Sequence, residues 1–194
     1  MKTIQERFVA GSKSIGRDAT FWKVLNAALE LDFKKGHLKW TMSDLSRKSA
    51  ITRSLIYYHF GRSKMSILEQ AVRLIGEEVI GLAPHRLELW QNGDWSSSVR
   101  LAREIVSQTP FLGNFYLLHR ERPTEIGREL RSLETAYFKK LKGVFAGLPD
   151  EAHRAIFAVM FGLLFAPLVD DAAVHLALKG LKAITNSLPS QSQV

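Results

Sequence analysis

The sequence predicts an all-α fold: an N-terminal three-helix helix-turn-helix domain followed by a larger helical domain. Three observations predict it. Apolar residues recur at helical spacing nearly everywhere along the chain. No alternating apolar–polar run bounded by hairpin turns offers a strand. Between Thr41 and Phe60, two short helices can be drawn around a tight turn, with small residues where the axes must approach.

The stripes follow one another with their own start and stop signals. Phe21, Leu25, Ala28 and Leu29 make the first, continued by Phe33, with Asp18 or Thr20 as cap and Gly36 as stop. Leu68, Ala71, Val72, Ile75, Val79 and Leu82 make another, which runs up to Pro84. Val99, Ala102, Arg103 and Val106 follow the Asn92-Gly93-Asp94 turn. Thr124, after Pro123, caps a helix through Leu130, Leu133, Tyr137, Leu141 and Val144. Asp150, after Pro149, opens a long apolar helix, and Asp170 and Asp171 open the last one. The total is roughly nine helices.

The 194 residues are 46% apolar, enough for an independent core. There is no cysteine, so disulfides and thiolate metal sites are excluded. The first residues lack an apolar signal-peptide core, and the longest uncharged run, Ala155 to Val169, is interrupted by Pro167. A cytoplasmic location without membrane insertion is expected.

Charge is unevenly spread. Residues 1–70 carry 13 Lys/Arg against 6 Asp/Glu, whereas residues 71–194 carry 14 against 13. A basic first third points to a polyanionic partner, and nucleic acid is the commonest. In that third, Thr41 and Asp44 stand in a T-x-x-D capping pattern, with Met42 and Leu45 turned inward. Ser46 and Ala50 are small and four apart, and Thr52 can cap the second helix. On that helix, Ile56 and Phe60 serve the core, which pushes Ser54, Leu55 and Tyr58 outward with Arg53, Tyr57 and His59 on the flanks. In a major groove, Arg53 can reach a guanine edge and Leu55 a thymine methyl. Tyr57, His59 and Thr41 can donate to phosphates, and Lys64 begins a helix whose N–H groups favour one.

Residues Lys23 to Leu68 resemble the N-terminal domain of the TetR family of transcriptional regulators. The resembling elements are "LNAALEL" with Phe33 and Gly36, Thr41 with Leu45, Ile51-Thr52, and "LIYYHF" followed by Ser63-Lys64. The resemblance implies DNA contacts from Thr41, Thr52, Arg53, Ser54, Leu55, Tyr57, Tyr58, His59 and Lys64. Three residues separate Phe60 from Lys64, one more than is usual in the family, and Arg62 is the alternative cation. The implied organisation is a DNA-binding domain at 1–65 and an effector and dimerisation domain at 66–194. The implied activity is regulation of transcription, most often repression, by a homodimer on a palindromic operator in double-stranded DNA, modulated by a small molecule.

Two further residue sets are candidates in the second domain. Phe111, Phe115, Tyr116, His119 and Arg120 combine an aromatic face with polar ends, as a ligand pocket would, or as a core helix with solvated ends would. The last two helices suit a twofold interface through Ile156, Val159, Leu163, Ala173, Leu176, Ala177, Gly180, Leu181 and Ile184. Phe157, Phe161 and Phe165 form a second stripe on the first of these helices. No cofactor, metal or enzymatic signature is read: there is no phosphate loop, no H-E-x-x-H, and no ligand-like clustering of the six histidines. The rival reading is a helical enzyme or adaptor that retains a helix-turn-helix for structural reasons.

Overall fold

A computed structural model describes residues 19–165 and 170–187, with side chains to residue 183. Among these residues all regular structure is helical. The helices are α1 (Ala19–Lys35), α2 (Met42–Ser49), α3 (Arg53–Phe60), α4 (Lys64–Leu74), α5 (Pro84–Gln91), α6 (Trp95–Gln108), α7 (Leu112–His119), α8 (Glu125–Val144), α9 (Asp150–Phe165) and α10 (Asp171–Ser187). A π-turn, Ile75–Val79, follows α4 directly. Proline starts α5 as well as ending the preceding stripe: Pro84 occupies the first helical position, where its missing N–H costs nothing.

The chain divides into two compact units, and the division is not a single cut. One unit takes the described residues up to Arg73 and also Gln108–Gly127; the other takes Leu74–Ser107 and the described residues from Arg128 onward. The first segment of the first unit ends after Arg73, and α7, within Gln108–Gly127, belongs to that unit as well.

Packing of α7 explains why α1 is so apolar. Phe21, Trp22, Val24, Leu25, Ala27, Ala28, Leu29 and Leu31 are all buried, a stripe too wide for one neighbour. α2 covers one side and α7 another. The stripe does not continue to Phe33 as expected. Phe33 is 44% exposed and packs on Phe111, ring centroids 5.6 Å apart, while Asp32 takes the buried position.

The helix-turn-helix is built by local hydrogen bonds. Thr41 caps α2: its hydroxyl accepts from the Asp44 N–H at 3.0 Å, and Asp44 Oδ2 accepts from the Thr41 N–H at 2.9 Å. Ala50 ends α2 in the left-handed conformation (φ 56°), which turns the chain toward α3. Ser46 does more than leave room. Its hydroxyl donates to the Ile51 carbonyl at 2.7 Å and so closes the turn. Thr52 then caps α3 by accepting from the Leu55 N–H.

In the second unit, Tyr137 and Phe138 of α8 pack on Phe157, which begins the Phe157–Phe161–Phe165 ladder on α9. Gly76 lies in the π-turn against Leu133 of α8; a methyl there would meet Leu133 Cδ2 at 2.7 Å. That close approach requires glycine unless the leucine moves.

Candidate nucleic-acid interface

α3 presents a solvent face of unusual chemistry. Its inward side is only Ile56 and Phe60, and Phe60 stacks on Phe21 at 5.5 Å. Arg53, Ser54, Leu55, Tyr58 and His59 are exposed, and Tyr57 is half-buried. Tyr58 is 83% exposed and meets His59 edge to face at 5.1 Å. Leaving a tyrosine and a leucine in water has no packing benefit, so this face is suited to contact with another surface.

The cations flanking α3 divide into committed and available ones. Lys64 points inward: its ammonium donates to the carbonyls of Leu38 and Trp40, the latter at 2.9 Å, and lies over the Trp40 ring. It therefore clamps the loop between α1 and α2 to the start of α4. Arg62 is exposed and lies over the Tyr57 ring at 5.8 Å, on the α3 side. Thr41 is likewise engaged, since its hydroxyl proton goes to Asp44 Oδ2 at 2.9 Å. Asp44 also receives Lys35 and Arg47. The Lys35 ammonium, with the Thr41 bonds, holds its carboxyl far below the usual range.

The other two predicted sets are placed differently from expectation. Phe115, Tyr116 and His119 are buried in the first unit, and His119 bonds to Asp32 through Nε2 at 2.8 Å. Of the residues expected to line a pocket, Phe111 packs on Phe33 and His119 bonds to Asp32, both on α1, Phe115 and Tyr116 are buried, and Arg120 is half-exposed and pairs with Glu121. Helical spacing does not reveal the reach of α7 back across the chain. A cavity of about 510 Å³ lies elsewhere, in the second unit, lined by Leu87, Trp90, Gln91, Gly93, Trp95, Lys140, Gly143 and Val144. Lys140 donates to the carbonyls of Ile80 and Gly81 and lies 4.0 Å from the Trp90 ring centre. Burial, with the charge of Arg86, pushes its ammonium down to about 6. Residues at helix ends and in loops, not an aromatic stripe, carry this cavity, and no motif marks it.

Of the residues expected at a dimer interface, Ile156, Leu163 and Leu181 are buried within the single chain. Val159 and Leu176 are 40% and 70% exposed, Ala173 and Gly180 are exposed, and Ala177 is half-buried. The Ile184 side chain lies outside the described residues. The exposed apolar face of α9 is Ala155, Ala158, Val159 and Gly162, offset by one residue from Ile156 and Leu163 and sharing Val159 with the expected stripe.

The histidines do cluster, although their spacing in sequence hides it. Asp32, His37 and His119 bring three donor atoms within 4.8 Å of one another. Burial alone would raise the Asp32 carboxyl. Hydrogen bonds from His119, the Leu38 N–H and Trp40 outweigh it and hold the carboxyl down at about 2.

A three-helix head with a capped α2, a tight left-handed turn and a solvent-facing α3 defines a helix-turn-helix DNA-binding protein. Residues 24–71 match the family model of the bacterial regulatory proteins, tetR family. Its fold is similar to that of the TetR family transcriptional regulator PfmR from Thermus thermophilus, with 21% identity, 86% of this chain and 96% of that chain covered, and a TM-score of 0.53. It is also similar to NalD of Pseudomonas aeruginosa, the secondary repressor of the MexAB-OprM multidrug efflux pump, with 18% identity, 90% and 98% covered, and a TM-score of 0.48. A comparison with curated proteins finds no match. No helix among the described residues is long and apolar enough to cross a membrane.

Proposed function

We propose that the chain is a homodimeric repressor that binds a palindromic operator through α3 and is released from it by a small molecule. The observation that carries this reading is the solvent face of α3, where Arg53, Ser54, Leu55, Tyr58 and His59 stand exposed around a two-residue buried side. In this reading Arg53, Leu55 and Tyr58 read base edges. Thr52, Ser54, Tyr57 and His59 hold the backbone. Arg62 supplies the phosphate cation in place of Lys64, whose protons serve the Leu38 and Trp40 carbonyls. Thr41 joins them only if its hydroxyl proton leaves Asp44.

Dimerisation uses the exposed small and apolar residues of α9 and α10, chiefly Val159, Leu176, Ala173 and Gly180. Two heads then meet half-sites about one helical turn apart, roughly 34–36 Å. The effector occupies the cavity beside Trp90 and Trp95, whose rings favour a flat apolar molecule. Family kinship with regulators favours this reading over an enzyme.

The test is selection of duplexes from a random pool, followed by anisotropy titrations across salt. Enrichment of a palindrome is expected. Arg62→Ala should flatten the salt slope by about one unit without altering the selected sequence. No enrichment, with a slope unchanged in Arg53→Ala and Arg62→Ala, refutes the reading. Sedimentation at micromolar concentration addresses the dimer, and a single 21.9 kDa species would remove it.

A further inference from the structure

We propose that Asp32, His37 and His119 form a binding site for a divalent first-row transition-metal ion of the Zn²⁺ class. Asp32 Oδ2 lies 2.8 Å from His119 Nε2 and 3.4 Å from His37 Nδ1. The two imidazoles meet edge to face, with centroids 4.7 Å apart. Metal–nitrogen and metal–oxygen bonds of about 2.0–2.2 Å in a tetrahedron place donor atoms about 3.3–3.5 Å apart. The two distances to Asp32 Oδ2 lie within about half an ångström of that span, and the two imidazole donors, within 4.8 Å of one another, reach it by a ring rotation of His37 at the open edge.

Three features separate this cluster from an ordinary buried ion pair. The first is that two imidazoles converge on the same carboxylate oxygen, which brings two nitrogen donors and one oxygen donor to a single point. The second is that Asp32 Oδ1 is held independently, by the Leu38 N–H at 2.9 Å and Trp40 Nε1 at 3.0 Å. Bonds of that kind orient a metal-binding carboxylate and keep its other oxygen aimed at the ion. The third is access. Asp32 and His119 are 1% and 0% exposed, but the His37 side chain retains 16%. That leaves one side open for entry and for a water as fourth ligand.

The donor set selects the ion. Two imidazoles and one carboxylate suit Zn²⁺, Co²⁺ or Ni²⁺, whereas Mg²⁺ and Ca²⁺ prefer all-oxygen cages, and the chain has no thiolate for Cu⁺. The site would also tie three places together: the end of α1, the loop leading to α2, and the end of α7.

The test is Co²⁺ titration of chelator-stripped full-length protein, followed by visible absorption and equilibrium dialysis. One Co²⁺ per chain is expected, with the intense bands of a tetrahedral ion and displacement by Zn²⁺. His37→Gln lies at the open edge and leaves the buried pair intact. It should weaken binding at least about tenfold while circular dichroism and urea midpoint stay near wild type. His175→Gln, on the exposed side of α10, should bind as wild type does. Absence of Co²⁺ uptake overturns the proposal. So does uptake with a weak octahedral spectrum, or uptake that survives both His37→Gln and Asp32→Asn, since the ion would then sit elsewhere. None of these readouts involves DNA, so their failure leaves the regulator reading standing.

Discussion

α3 and α7 are each eight residues long, each carries two or more aromatic rings, and each has a histidine at or beside its last position. By composition they are near twins. α3 hides Ile56 and Phe60 and shows most of the rest; α7 buries Leu112, Phe115, Tyr116 and His119. The difference lies in their neighbours. α3 leans on α1 and α2 through one narrow side, and its remaining surface faces solvent. α7 fills the second side of α1, and Asp32 stands there to receive its histidine. An aromatic helix with polar ends is a surface or a core according to what is packed beside it, and residue types alone do not choose.

The sharpest way to break this comparison is truncation. Phe115→Ala should cost about 3–5 kcal/mol in urea unfolding, as a buried ring does. Tyr58→Ala should stay within about 0.5 kcal/mol of wild type. Reversed ranks would mean that α7 is not core.

Acid offers a second probe of the same contact. Asp32 has a native pKa of about 2 against 3.8 when free. The unfolded chain therefore binds the proton more readily in this range. The stabilisation, about 2 kcal/mol, is present above pH 4 and disappears as pH falls through 2. Denaturation curves at pH 7 and pH 2.5 should show it, and Asp32→Asn should lack that part of the acid sensitivity.

Arg53→Ala tests the other side. It should weaken binding to the selected duplex by about 1–3 kcal/mol and relax preference at one position, with the unfolding midpoint unmoved. Thr52→Ala is expected to affect both readouts modestly, through about 1 kcal/mol of lost capping. The smallest effect sharpens the picture of the turn. Ala50→Gly should raise stability by less than about 1 kcal/mol, because relief of the left-handed strain is partly offset by the greater freedom of glycine in the unfolded chain.

What could be read in the sequence was local. The capping box at Thr41 and Asp44, the cap at Thr52 and the inward pair Ile56 and Phe60 depend on partners three or four residues away. Spacing along the chain reports such partners directly. Asp32 bonds to His119 across 87 residues, and no periodicity encodes a partner that distant. It sits in an apolar stripe as an apparent interruption, and Phe33 beside it looked like the natural continuation. Lys64 likewise has distant partners, 26 and 24 residues away. Its position suited a phosphate, but the carbonyls of Leu38 and Trp40 were made available by a loop whose path depends on Leu38 adopting φ 58°. On α9, a helix apolar on nearly every side offers no polar edge from which to count, so spacing alone does not separate the buried Ile156 and Leu163 from the exposed Ala155, Ala158 and Gly162 one residue away.

The return of α7 to the first unit also has a consequence for synthesis. A head made only of residues up to 73 would be complete when its last helix left the ribosome. This one must wait for Phe115 and His119. At translation speeds of about 5–20 residues per second, the intervening stretch takes roughly 2–9 seconds. During that interval the second side of α1 is uncovered on the nascent chain, with Asp32 present and its histidine not yet made. The basic head emerges first but matures late, so a chain stalled or cleaved between α4 and α7 should carry the DNA-reading residues without the core that holds them.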